Sequence, residues 1–584
     1  MLKDLLNEFE NHETESQKFD VDQMVIDSYR LKPGLYLRLN KDGSTDELFV
    51  DKKVAVINTE LYTWFQKADF HSSLIEMNKP VDKKKKIHSN NIYTFFCKYD
   101  TFIINKALNI ELIESIERYY GELLKDANKT ASEILLTAGY EPLEKEQVNA
   151  CKARISSEIN KTLLTLLQRD IKDNCYIKLF IEADESDYRR EGNRYLLPRI
   201  FNCDTYNLEH NDEVLGLSNS NMGLNAKKPY LEHKTAAFKV PYRISSEEAI
   251  MLRKYFLWLG SQKREDKPVN SGYIPVLEHK PHLLESADEI TKNKSTHYMH
   301  FEKGMDITID DYDFLPRFSD KLSKPVNFKN YLNSPKFSGG EKARLSEVEK
   351  IVNLYLYDNQ LVFHYGTENV KVTTRLSAAL AKEITLTRDV MAAWFKKGDP
   401  LPLSACLKAV TLRLIIARLQ NLEYISNLAC ALNVRLALLK YFELEEEKDM
   451  GTIIENQYLA LKEKVLAKNG NAFCESKTEF YLAAGQLLRY LLSRSQAQKA
   501  NYDVLLRGVL AANSAAGVKE QVNKLLTKYS YDVEITNPRF NRMLTIVNSY
   551  DVDVTEAIGL DALLCGFATE SIIYFKNEED KTND

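Results

Sequence analysis

The sequence predicts an α+β protein: a mixed α/β N-terminal and middle region with long loops, followed by an all-α C-terminal helical bundle. Three observations carry this expectation. Of the 15 prolines, 14 lie at or before Pro402 and only Pro538 follows, so the rest of the chain is nearly free of the residue that breaks helices. Beyond Pro402 the apolar spacing is helical, as in Leu412, Ile415, Ile416 and Leu419 at i, i+3, i+4 and i+7. Before it, the apolar run Tyr176 to Ile181 reads as a strand set among helical stretches.

Residues 1–110 read as a small α+β unit, 111–375 as a mixed α/β middle domain with long loops, and 376–584 as the all-α bundle. Within the middle domain, 109–137 and 144–172 have helical patterning, and Ala236 to Pro241 reads as a second strand. Ser245 and Glu248 have capping-box spacing ahead of apolar Ala249, Leu252, Phe256 and Leu259, with Gly260 as the stop. Residues 261–345, rich in Pro, Asp, Asn, Ser and Lys, read as long loops with little regular structure, and the acidic run ending at Asp313 as a turn around Pro316. In the bundle, Phe480 to Ala497 and Val554 to Phe575 repeat the helical spacing. There is no internal repeat of 20–50 residues.

The chain has 584 residues and a formal net charge of −5, which suggests about two to four domains and ample apolar material for real cores. A free-standing DNA-coating protein is usually basic overall, so nucleic-acid contact is expected only in local patches. The eight cysteines include no C-x-x-C pair, which argues against disulfide staples and cysteine zinc sites. The opening MLKDLLNEFENHE lacks a secretory apolar core, and no apolar run approaches the roughly 18–20 residues of a spanning helix, so a cytoplasmic protein with no membrane partner is expected.

Two segments stand out because each combines lysines, asparagines and aromatics. In Asn78 to Phe96, Lys79, Lys83, Lys84, Lys85 and Lys86 would release counterions from a polyanion, and Asn90 and Asn91, whose amides can read base edges, are expected to bind nucleic acid beside them, ahead of Tyr93, Phe95 and Phe96. Some of those aromatics must be core, Phe95 or Phe96 first. In Gly216 to Lys234, Asn219, Asn221 and Asn225 carry amides suited to base edges, and Lys227, Lys228 and Lys234 would hold phosphates. The same asparagines equally suit the capping of a loop, and the residues alone leave that choice open.

Other leads carry less. SGGEKARLS, Ser338 to Ser346, matches the signature loop of ABC-type ATPases, but no G-x-x-x-x-G-K-[ST] occurs to hold a nucleotide. His279, His282, His297 and His300 have paired spacing near Asp306, Asp310, Asp311 and Asp313, yet there is no H-E-x-x-H, and neither a metal nor another cofactor is expected. A metal-dependent nuclease using the His297–Asp313 region and a protein-only assembly scaffold are the alternative functions. Most bundle cations, including Arg489, Arg494, Lys519 and Arg539, are expected to be ordinary solvated positions, a minority lining a strand-binding face. Met450, and after it Met391, stands ahead of proline-poor helices and is a candidate internal start.

Together, MNKPVDKKKKIHSNNIYTFF, GLSNSNMGLNAKKPYLEHK, IDDYDFLP (Ile309–Pro316), FYLAAGQLLRYLLSRSQA and NPRFNRML resemble, in order, the large subunit of type I-B CRISPR Cascade complexes, the Csh-type Cas-eight proteins. The resemblance runs from about residue 30 to 575 and includes no catalytic signature. Some family members carry a cysteine zinc site that this chain has no cysteine pair to form. The resemblance implies a non-catalytic subunit of an antiviral, RNA-guided complex that recognises a protospacer-adjacent motif while guide pairing reads the target. It implies as partners crRNA, double-stranded target DNA with its displaced strand, the Cascade backbone, handle-binding and small subunits, and a helicase-nuclease. The C-terminal bundle would resemble the small subunit.

Overall fold

The computed structural model describes residues 2–10, 21–51, 59–125, 129–169, 171, 174–201, 207–211, 213–216, 237, 243–264, 267–276, 282–284, 294–304, 307–363, 376–419, 425–467, 472–494, 502–551 and 558–575. It is an α+β fold, with sheets in the N-terminal and middle parts and helices beyond them. The chain forms two compact units. The first holds Met1–Asn270 with Leu277–Pro281 and Lys303–Thr308; the second holds Ser271–Val276, His282–Glu302 and Ile309–Asp584.

The first unit is built on a four-stranded sheet. Its order is Thr45–Val50, Gly34–Leu39, Tyr176–Ile181, Thr94–Lys98, with the central pair parallel and the outer pairs antiparallel. Tyr176–Ile181 is the strand the sequence predicts, and it is buried from Ile177 through Ile181 because its apolar residues serve both faces. It enters between two strands of the first hundred residues. That pairing merges residues 1–110 with the following stretch, so the contacts divide the chain near residue 270 instead of at 110. On one face Tyr36, Phe96 and Phe180 pack against Phe65 and Tyr62 of the Glu60–Ser72 helix and Tyr188 of the Glu185–Ile200 helix. Lys178 is buried beside them at 3% exposure, paired with Asp69, and its ammonium lies 4.5 Å from the Phe96 ring centre.

The helical stretch 109–137 is two helices, Ile110–Leu123 and Lys129–Thr137, and 144–172 is one, Lys145–Leu167. The expected Ala236–Pro241 strand lies outside the described residues except for Ala237, which is in a bend. The capping box at Ser245 is present in both directions, the Glu248 amide donating to Ser245 Oγ (3.2 Å) and the Ser245 amide to Glu248 Oε2 (3.0 Å). Its helix, Ser246–Ser261, runs one residue past Gly260.

Residues 261–345 correct the sequence expectation: in place of long loops they hold strands. Ser271–Pro275, Lys294–Lys303 and Ile307–Phe318 form one sheet, and Lys321–Phe328 pairs with Gly340–Arg344 in a hairpin. The acidic run is strand, not turn, because partners answer its charges. Lys397 holds Asp311 at 2.9 Å and Asp313 at 3.4 Å, and His300 Nδ1 meets Asp310 Oδ1 at 2.6 Å. Within the ABC-like SGGEKARLS, Gly340–Arg344 is the second strand of the hairpin, and Leu345 opens the helix Leu345–Tyr357. A Cβ at Gly339 would stand 2.1 Å from the Phe328 carbonyl oxygen, so glycine there serves a close backbone approach.

The second unit is otherwise helical: Leu345–Tyr357 precedes the expected boundary near residue 376, and Ala378–Lys397 and Leu401–Arg418 follow it. Lys477–Ser493 is its central helix, with nearly every residue from Glu479 to Leu492 buried. It crosses Leu560–Ala568 at a reciprocal glycine contact: a Cβ on Gly485 would lie 2.2 Å from Leu563 O, and one on Gly566 2.3 Å from Leu482 O. Ile425–Tyr441 is enclosed on all sides from Leu428 to Leu439, including Asn433 and Arg435. Among the described residues no helix is long and apolar enough to cross a membrane.

The two candidate internal starts fall differently on this unit. Met391 is fully buried in the middle of Ala378–Lys397, whereas Met450 is the first residue of the Met450–Leu466 helix. A product of residues 450–584 is therefore expected by mass spectrometry of material expressed from the native gene. Detection of full-length chain alone, with the Met450 codon intact, counts against it. A chain starting there lacks the enclosed Ile425–Tyr441 helix, so it is expected to melt well below the full-length protein.

Candidate nucleic-acid interface

The Asn78–Phe96 segment separates cleanly into a surface part and an interior part. Asp82 is fully buried and organises the turn: its carboxylate accepts from the backbone amides of Lys84 (3.2 Å), Lys86 (2.7 Å) and Ile87 (3.1 Å) and from Arg118 Nε (2.8 Å). Burial pushes this carboxyl up, but Arg118 and the three amides outweigh it and leave Asp82 below the ordinary aspartate value. Lys85 takes the left-handed conformation at φ 57°. The result is a fixed turn from which Lys83, Lys84 and Lys85 project into solvent. Lys83 reaches Glu122 at 3.2 Å and Lys85 donates to Asn78 Oδ1 at 2.9 Å, while Lys84 forms no ion pair among the described residues. Lys79 and Lys86 are half-buried, and Tyr195 fastens the Lys79 carbonyl by a 2.8 Å hydrogen bond.

Asn90 and Asn91 are a correction. They are 3% and 1% exposed, and their amides are spent inside the fold. Asn90 Nδ2 donates to the carbonyls of His71 (3.1 Å) and Ser73 (2.9 Å), closing the end of the Glu60–Ser72 helix. Asn91 donates to Ser72 Oγ and to Asn90 Oδ1, and its own oxygen accepts from the Tyr93 amide and Thr94 Oγ1. An amide so occupied has nothing left for a base edge. Phe95 and Phe96 are both core, and Tyr93 is half-buried against Tyr188, so this segment offers no exposed stacking platform among the described residues.

Gly216 pairs with Ile244 through two 3.0 Å backbone hydrogen bonds. Asn219, Asn221, Asn225, Lys227, Lys228 and Lys234 lie outside the described residues.

Among the described residues the histidine lead does not assemble into a metal site. His297 and His300 are buried at 3% each on one strand, His297 Nδ1 meeting Tyr312 Oη at 2.8 Å and His300 meeting Asp310. His279 and Asp306 lie outside the described residues, and among those described no group of three or more His, Cys, Asp or Glu is arranged to hold a metal. Several bundle cations, read from the sequence as solvated, instead bind backbone carbonyls. Arg489 donates to the Thr569 carbonyl, Arg539 to that of Phe575, and Lys519 to those of Asn548 and Tyr550. Arg494 lies 4.8 Å from the Tyr490 ring centre.

Sequence reading missed Asp82, although the signal was present: an aspartate two residues ahead of a backbone amide is the pattern of a local Asx turn. No protein-family model, curated protein or solved structure matches this chain.

Proposed function

We propose that the chain is the non-catalytic large subunit of an RNA-guided surveillance complex of the type I-B CRISPR kind, working in the cytoplasm with crRNA, target DNA, the other Cascade subunits and a helicase-nuclease. The observation that carries this reading is the Asp82-anchored turn. A buried carboxylate holds the backbone so that three successive lysines face solvent, which suits a phosphate backbone and serves no core. The order of segments resembling the family adds the assembly context. Within this reading Lys83, Lys84 and Lys85 hold guide or target backbone, and the Gly216–Lys234 segment reads the adjacent motif.

Replacing Lys83, Lys84 and Lys85 with alanine is expected to weaken nucleic-acid binding with little sequence preference and to flatten the log K against log salt slope by roughly 1 per lost phosphate contact. Lys86→Ala, at a half-buried position, should change it less. An unchanged slope overturns the assignment of the turn.

The deciding experiment is competition binding by the assembled complex, using duplexes with correct and incorrect adjacent motifs. Asn219→Ala and Asn221→Ala should shrink the affinity ratio by about 5- to 150-fold, the value of a good base contact at about 1–3 kcal/mol. Lys227→Ala and Lys228→Ala should weaken both duplexes together, because phosphates carry no sequence information. A ratio that survives both asparagine changes removes the segment as reader. Metal-dependent cleavage by the purified chain, lost in Asp310→Ala, would favour the nuclease alternative.

A further inference from the structure

The first unit contains a small cavity walled by the Glu60–Ser72, Glu185–Ile200 and Ser246–Ser261 helices, with about 40 Å³ of internal space. At roughly 10–15 Å³ for each water-sized position, that is room for about three or four oxygen atoms. The wall carries three cations, Arg189, Arg253 and Lys254, against the single carboxylate of Asp22. Asp22 is already shared: Arg189 Nε and Lys254 Nζ each stand 2.7 Å from it, and Arg189 also reaches Glu185 at 3.2 Å.

Arg253 is different. Part of its side chain reaches the surface, but the guanidinium is enclosed, and its Nη1 is shielded from solvent without a hydrogen-bond partner among the described residues. No carboxylate pairs with it among the described residues. Burial pushes this guanidinium down to about 10, with the Tyr195 hydroxyl opposing the shift, so it remains charged at neutral pH. A buried, charged donor with no acceptor is costly unless something supplies the acceptor. A guanidinium fork matches a tetrahedral oxyanion, and the wall carries more cations than carboxylates.

We infer that this cavity is a binding site for a phosphoryl oxyanion, with Arg253 as its principal donor and Lys254 and Arg189 as the flanking cations. The inference stands apart from the lysine turn, because an isolated phosphate satisfies it as well as a nucleic-acid terminus does. Equilibrium dialysis of the full-length chain at constant ionic strength, with chloride as the balancing ion, tests it. The probes are inorganic phosphate, a 5′-phosphorylated oligonucleotide and the same oligonucleotide with a 5′-hydroxyl. Saturable phosphate uptake, weakened at least about tenfold in Arg253→Met and partly kept in Arg253→Lys, identifies a free-phosphate site. An Arg253-dependent preference for the 5′-phosphorylated strand over its hydroxyl twin identifies a terminal phosphate as the source. No saturable uptake of either phosphorylated probe by the unmodified chain overturns the site, whatever the variants do. Binding equal for both oligonucleotides and indifferent to Arg253 also overturns it.

Discussion

Arg435→Met is expected to lower the stability of the helical unit by about 3–5 kcal/mol, read as a fall in the denaturant midpoint of the full chain at unchanged slope. Arg435 is 4% exposed and binds Asp561 with both arms of its guanidinium, Nε to Oδ1 at 2.6 Å and Nη2 to Oδ2 at 2.9 Å. Its remaining nitrogen donates to the Lys408 carbonyl at 2.6 Å and to Thr411. One side chain thus ties Ile425–Tyr441 to both Leu401–Arg418 and Leu560–Ala568. Methionine fills much of the volume but leaves the largely buried Asp561 carboxylate without its cation. Most of the cost is that orphaned charge, so Arg435→Met combined with Asp561→Leu should recover a large part of it. A loss below about 1 kcal/mol in the single variant would mean that Asp561 escapes to water and that the bridge is dispensable.

Asp82→Ala is expected to do two things that the lysine substitutions do not. It strips the acceptor from three backbone amides and from Arg118, at a cost of about 2–4 kcal/mol to the first unit. It should also weaken nucleic-acid binding although no cation is lost, because the turn that aims Lys83, Lys84 and Lys85 is no longer held. Asp82→Asn separates charge from shape: it keeps an acceptor oxygen but not the charge that balances Arg118. The sign of the pH dependence follows from the depressed carboxyl. Its contribution is fully present above the unfolded value of about 3.9 and is lost as pH falls from there through the folded value. Asp82→Asn should therefore flatten the acid limb of the stability curve. Binding that stays intact while stability falls would dissociate the turn from nucleic acid.

The elements legible in the sequence are those whose cause is local. Tyr176–Ile181 announces itself because a strand buried on both faces is apolar nearly throughout, Lys178 being the exception that needs Asp69. The Ser246–Ser261 helix does so because its cap is a hydrogen-bonded exchange between residues three apart. The Ile307–Phe318 strand was hidden for the opposite reason. Asp310, Asp311 and Asp313 depress strand propensity, and the partners that answer them, His300 and Lys397, come from another strand and from a helix distant in sequence. At the candidate site the exposure of Lys83, Lys84 and Lys85 was readable, since adjacent ammonium groups repel one another and need water. The fate of Asn90 and Asn91 was not. An amide suits a base edge and a helix end equally, and only the position of the His71 and Ser73 carbonyls decides between them.

By itself the sequence determined the α+β class, the helical character beyond residue 376 and the location of a dense basic turn, because each follows from spacing or composition within a short window. The tertiary structure alone decided that Tyr176–Ile181 closes the sheet of the first hundred residues and that Asp82 makes the lysine turn fixed. It alone placed Asn90 and Asn91 in the interior, and left Arg253 enclosed without a carboxylate among the described residues. The physical reason is common to all four. Strand pairing and the satisfaction of a buried polar group are set by which partner arrives in space, and that partner's place in the chain carries no local mark.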